Sequence, residues 1–132
     1  MMTTELFWLT LTIALTASLW IPYIGNRIKE LGPPSLAWFP LPDPPPKARW
    51  ADRAMRAHNN AVENLVIFAP LVILVHLSGV SSHATETACM VYFFTRVGHY
   101  GFSIFGFPIP LRTVAFLVGV GCQMTLLLAL LS

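Results

Sequence analysis

The chain has 132 residues and a formal net charge of +2, with 55% apolar and 11% charged residues. A soluble domain carries roughly a quarter charged residues, so this composition excludes an ordinary water-soluble protein. The length allows one domain, and where the charges sit says more than their sum.

Four apolar stretches cover residues 6–24, 57–77, 85–104 and 111–131. Each has close to the about 20 residues that a helix needs to cross a bilayer. In lipid the backbone must satisfy its own hydrogen bonds, which leaves helices or a closed barrel. None of the stretches alternates with a period of two, so helices are expected. The expected fold class is all-α: an integral membrane four-helix bundle, running up-down-up-down, with residues 1–132 as a single domain.

The first stretch follows a leader, Met1 to Glu5, without Lys or Arg. A signal peptide wants a basic leader and a small-residue cleavage site, so a retained helix is expected. A connection over residues 28–52 follows, holding seven of the eleven prolines, Pro44, Pro45 and Pro46 among them. Such a run favours extended polyproline structure over helix. Trp38, Phe39 and Trp50 suit anchoring at the headgroup level, and a plain linker is the alternative.

The second helix opens with a polar patch. At about 100° per residue, Arg56, Asn60 and Glu63 fall within roughly 60° of one another. Arg53 lies close to that stripe, and Asn59 and Asn64 flank it. Pro70 is expected to kink this helix. On the third helix Tyr92, Arg96, His99, Tyr100 and Ser103 share a face. The fourth opens Pro108-Ile-Pro110-Leu-Arg112-Thr113. Proline is favourable near a helix start, and the free N–H groups there carry partial positive charge. Gly119 and Gly121 suit close helix packing. Gln123 reads as an interhelical hydrogen bond. His76 and His83 read as structural or solvated, and Cys89 and Cys122 as small core residues. No disulfide, metal site or nucleic-acid partner is expected.

All eight Lys and Arg residues lie at two connections. Arg27, Lys29, Lys47, Arg49, Arg53 and Arg56 surround the first, and Arg96 and Arg112 flank the third. With four spans these connections share one side, which the positive-inside rule makes cytoplasmic. Both termini are then non-cytoplasmic, and the small size and short loops fit a bacterial inner membrane. Ionisable groups at membrane depth ask for a reason. Arg53, Arg56, Arg96 and Arg112 outnumber Glu63 and Asp52, and the surplus points to an anionic ligand held by charge-assisted hydrogen bonds. The plain alternative is an ion-pair network, with Glu63 bonded to Arg56 or Arg96.

The run Arg53-x-x-Arg56-Ala-His58-x-Asn60-x-x-Glu63 resembles the second-helix signature of the MAPEG family (membrane-associated proteins in eicosanoid and glutathione metabolism). Arg96-Val-x-His99 resembles the family's third helix, and Pro110-Leu-Arg112-Thr113 follows sixteen residues after Arg96. The resemblance implies a homotrimer with glutathione between neighbouring subunits near the cytoplasmic face. By position, Arg56, Asn60, Glu63 and His99 would hold the tripeptide, with Arg96, Tyr100 and Arg27 as further ligands. Arg112 would be the catalytic arginine, with Thr113 as the neighbouring hydroxyl. A thiol's pKa falls beside a cation or a helix N-terminus, and Arg112 on the fourth helix would supply both. An apolar electrophile or a lipid hydroperoxide could then enter from the bilayer.

The chain also departs from the pattern. Asn59 and Pro108 replace arginines of a family synthase, and Ser103 replaces a tyrosine, with Tyr100 one turn earlier. Pro70 lies further from Glu63 than the family's proline does. These changes argue against prostaglandin synthesis. A non-catalytic lipid or glutathione binder is the second expectation. A haem protein using His58 and His99 is the third.

Overall fold

The computed structural model describes residues 2–39 and 44–132, and the regular structure in them is helical. The helices are α1 (Thr4–Ser18), α2 (Trp20–Leu31), α3 (Arg49–Ser78), α4 (His83–Ile104) and α5 (Ile109–Leu131), with one 3-10 turn at Leu36–Trp38. The expected proline-rich connection includes residues 40–43, which lie outside the described residues.

Helices α1 and α2 form one run, Thr4–Leu31, interrupted at Leu19. Pro22 accounts for the break. It has no N–H for the Ser18 carbonyl, and its ring crowds that carbonyl. Leu19 itself keeps φ −69° and ψ −14°, so the break is local. Gly32 then ends α2 at φ +78°, a conformation that favours glycine. Pro33 and Pro34 prevent its continuation.

Helix α2 thus reaches Leu31 where the apolar stretch ends at residue 24, and α3 begins at Arg49 where the stretch begins at 57. The connection is correspondingly shorter than residues 28–52. Hydropathy marks only the part of a helix that suits hydrocarbon. Segments such as Ile28–Leu31 and Arg49–Arg56 remain good helix formers beyond it. Helix α3 also runs through Pro70 without ending.

Three runs are long and apolar enough to cross a membrane: Thr4–Leu31, Arg49–Ser78 and Ile109–Leu131. The fourth expected span, α4, has 22 residues. Thr85, Glu86, Arg96 and His99 hold its hydropathy below theirs.

Helix α4 packs against α1, α3 and α5, most extensively against α5. The core between them contains Leu9, Phe68, Val72, Val75, Ala88, Cys89, Tyr92, Cys122 and Leu126. The rings of Phe68 and Tyr92 stack at 3.7 Å, only 12° from parallel. Gly119 lets α4 approach closely, since a Cβ there would lie 3.3 Å from Thr95 Oγ1 and 3.6 Å from the Tyr92 ring. Cys89 and Cys122 are both buried free thiols. Gln123 Nε2 donates to the Asn64 carbonyl at 3.3 Å, the interhelical bond expected of it.

Polar contacts fasten the helix ends. At one end the Ser81 hydroxyl donates to the Glu5 carboxylate at 2.6 and 3.0 Å. Beside it, Ser82 and Thr85 form a reciprocal capping box that starts α4. At the other end Arg53 Nε donates to the Ser103 carbonyl at 2.8 Å, and Nη2 to the Ile104 carbonyl at 3.3 Å. Arg53 so caps the last turn of α4 from the first turns of α3. Gly106, at φ +72°, makes room, since a Cβ there would lie 3.0 Å from Arg53 Nη2. Glu30 accepts the backbone N–H groups of Lys47 and Ala48, which ties the start of α3 to the end of α2.

Candidate functional site

Helices α3, α4 and α5 meet around an open groove at the end where α3 and α5 begin. One part is lined by Asn60, His99, Arg112, Thr113 and Phe116. The adjoining part is lined by Arg56, Ala57, Asn60, His99, Ser103 and Arg112. Five of the residues expected at the site, Arg56, Asn60, His99, Arg112 and Thr113, therefore share one groove.

Each arrives for a local reason. Asn60 and Arg56 are one helical turn apart on α3. His99 and Ser103 are one turn apart on α4, where the Ser103 hydroxyl donates to the His99 carbonyl at 2.8 Å. Pro108 and Pro110 start α5, and Arg112 and Thr113 follow in its first turns. Arg112 is half-buried and makes no hydrogen bond or ion pair among the described residues. Arg56 is largely exposed and pairs with Asp52 at 3.0 Å.

Arg96 stands behind the groove rather than in it. Only 2% of it is exposed. Its Nη2 donates to Asn60 Oδ1 at 2.6 Å and reaches His99 Nδ1 at 3.4 Å. Its Nε is buried without a hydrogen-bond partner among the described residues. No carboxylate touches this guanidinium among the described residues.

Several expected contributors lie elsewhere. Glu63 is exposed on α3 and does not line the groove. It bonds neither Arg56 nor Arg96, so the alternative of an ion-pair network through Glu63 is not met. Among the described residues the carboxylate that is buried is Glu5, 1% exposed, at the opposite end. The helical wheel places Glu63 beside Asn60 correctly, but a wheel cannot tell which edge of a stripe faces a neighbouring helix. Tyr100 turns to the break between α1 and α2, where its hydroxyl donates to the Leu19 carbonyl at 3.0 Å. Arg27 stacks over Trp38 at 5.0 Å, and its Nη2 donates to the Trp38 carbonyl at 2.9 Å. It borders a separate, mainly apolar cavity of about 230 Å³ with Tyr23, Ile24, Met55 and Pro44. Arg53 is committed to capping α4. His58 Nδ1 meets the Tyr23 hydroxyl at 2.7 Å and does not line the groove of His99. Ser103, Ala57 and Phe116 are lining residues that the sequence pattern did not single out as ligands.

The arrangement presents two side-chain cations, an amide, an imidazole and hydroxyls to one opening. No anion of the chain fills it among the described residues. Chemically it suits an acidic guest.

The family model that matches this chain describes the MAPEG family, and the match covers residues 6–132. No curated protein and no solved structure matches the chain.

Proposed function

The chain belongs to the MAPEG family, and from that premise we propose that its groove binds glutathione and activates the thiol for attack on an apolar electrophile or a lipid hydroperoxide. Family and apolar helices together make it an integral membrane protein, related in a general way to glutathione. The observation that carries the finer reading is Arg112: an uncommitted cation in the first turns of α5, sharing an opening with Asn60, His99 and Thr113. Asn60, His99 and Arg56 suit the carboxylates of the tripeptide. Arg112 and the N–H groups that begin α5 stabilise the thiolate. The thiol proton leaves to water. The sulfur lone pair then forms the new bond to carbon as the leaving group departs with its bonding pair, or to a peroxide oxygen as the O–O bond breaks. In the second case the alkoxide released takes a proton from water, and a second glutathione converts the sulfenic acid to the disulfide and water. A preorganised cation in a site shielded by lipid is a large term in such catalysis.

Glu63 enters this reading through assembly. A carboxylate on a bare lipid-facing surface is costly, and Glu63 is exposed near Val62, Val66 and Ile67. A homotrimer would cover that face, close the groove and bring Glu63 to the ammonium of glutathione. Helix α4 serves as the fourth span. Its start lies level with Glu5 of α1 and its end level with Arg53 of α3, so it bridges the same thickness as its neighbours. Four alternating passes put the basic end in the cytoplasm and both termini across a bacterial inner membrane.

Addition of glutathione to purified protein should raise the ultraviolet absorbance of a thiolate, and Arg112→Ala should abolish that rise. A rise that survives Arg112→Ala contradicts the assignment. The second reading, a binder without turnover, is favoured by Tyr100. Its hydroxyl is committed to Leu19, which leaves the groove without the tyrosine that a family synthase places nearby. Glutathione binding without conjugation or peroxide reduction would select it.

A further inference from the structure

Arg96 is buried, without an anion among the described residues, and one layer behind the groove. A guanidinium can only donate hydrogen bonds, and this fixes what its two neighbours must do. Asn60 must turn its carbonyl oxygen toward Arg96, so its NH₂ group is turned away. His99 must offer a bare Nδ1, so its proton sits on Nε2. The two hydrogens of one nitrogen, Nη2, supply both contacts, at 2.6 and 3.4 Å. Both residues also line the groove in front.

We propose that Arg96 is a positioning residue that polarises the site: it draws the Asn60 carbonyl oxygen and the bare ring nitrogen of His99 toward itself, so that each turns a hydrogen-bond donor to the ligand. At Asn60 and His99 the groove thereby favours groups that accept, carboxylate and thiolate, over donors such as an ammonium, which is left to Glu63. This rests on the glutathione reading for the identity of the guest, but the polarity itself is a property of the empty protein. It also accounts for a guanidinium kept where burial is expensive. The surrounding amide and imidazole hold it in one position, and its uncompensated charge adds to the field at the opening. Arg96 touches no ligand in this scheme and acts through Asn60 and His99.

The tautomer of His99 is directly measurable. Nitrogen-15 spectra of histidine-labelled protein in detergent, without glutathione, with the His99 signal assigned by its loss in His99→Gln, should show a neutral ring protonated at Nε2. Arg96→Met should let the ring redistribute toward the Nδ1–H form. It should also weaken glutathione binding about tenfold, the size of one lost hydrogen bond to a charged group. A wild-type ring protonated at Nδ1, or a tautomer indifferent to Arg96→Met, overturns the proposal. The wild-type spectrum alone decides the tautomer, so a variant that misfolds does not remove the test. Failure of the underlying reading looks different: glutathione would not bind the wild-type protein at all, whatever the tautomer.

Discussion

The two ends of the helical bundle treat polar groups in opposite ways. At the end where α1 and α4 begin, Glu5 is buried against Ser81, and Ser82 and Thr85 cap one another. Donors and acceptors there close on themselves. At the other end Arg53 is similarly spent on the carbonyls of α4, but Arg112, Asn60, His99 and Thr113 are left around an opening. A burial pattern alone does not separate the two, because both ends bury charge. What separates them is whether the donors are already spent: among the described residues Arg112 makes no hydrogen bond, and Asn60 and His99 commit only their acceptors, to Arg96. The closed end is a fastening, and the open end is a place for something the chain does not supply.

Substitutions can break that contrast, beginning with the largest effect. Arg112→Ala should cut glutathione-dependent turnover roughly 100-fold, in line with the loss of one preorganised electrostatic contact. Helix content and melting temperature should hold. Glu5→Ala should do the reverse. It removes the buried carboxylate that Ser81 donates to, a hydrogen bond to a charged group, and should cost about 2 kcal/mol of stability, read as a lower melting temperature in detergent, with glutathione affinity unchanged. If Glu5→Ala instead weakens glutathione binding and spares stability, the two ends are not functionally distinct.

Smaller effects sharpen the picture at the edge of the groove. Gly106→Ala asks for φ +72° from a residue with a Cβ and pushes that atom to 3.0 Å from Arg53 Nη2. It should destabilise by about 1 to 2 kcal/mol through a loosened end of α4, measured by denaturation and by faster exchange of the amides near Ser103. Ser82→Ala removes one capping oxygen at the closed end and should cost about 1 kcal/mol in the same denaturation assay. Turnover should be unchanged.

Much of this was legible in the sequence, for physical reasons that differ by residue. The helices follow from apolar runs that only a helix can carry through lipid, although their ends do not, because polar residues such as Arg49 and Arg53 extend a helix without raising its hydropathy. Asn60 and His99 were legible because 3.6-residue periodicity groups each with other polar residues on one helix face, and Arg112 because prolines mark the helix start beside it. Glu63 was not, since its place on the exposed edge of α3 depends on how α3 rotates against α4. Arg53 and Tyr100 were misplaced for another reason. Each reaches across to a backbone carbonyl, of Ser103 or of Leu19, and a carbonyl left open at a helix end or break leaves no trace in residue type. Arg96 is a further ligand by resemblance, and its depth, one layer behind the groove, depends on how α4 packs against α3.

Calorimetric titration of glutathione into the wild-type protein and into Asn60→Leu, both in detergent, reaches the centre of this account. Saturable binding to the wild type, weakened about tenfold or more by loss of the one amide that faces the opening, is the predicted result. Equal binding by both proteins, or none by the wild type, would mean that the groove between α3, α4 and α5 is not where an acidic guest is held.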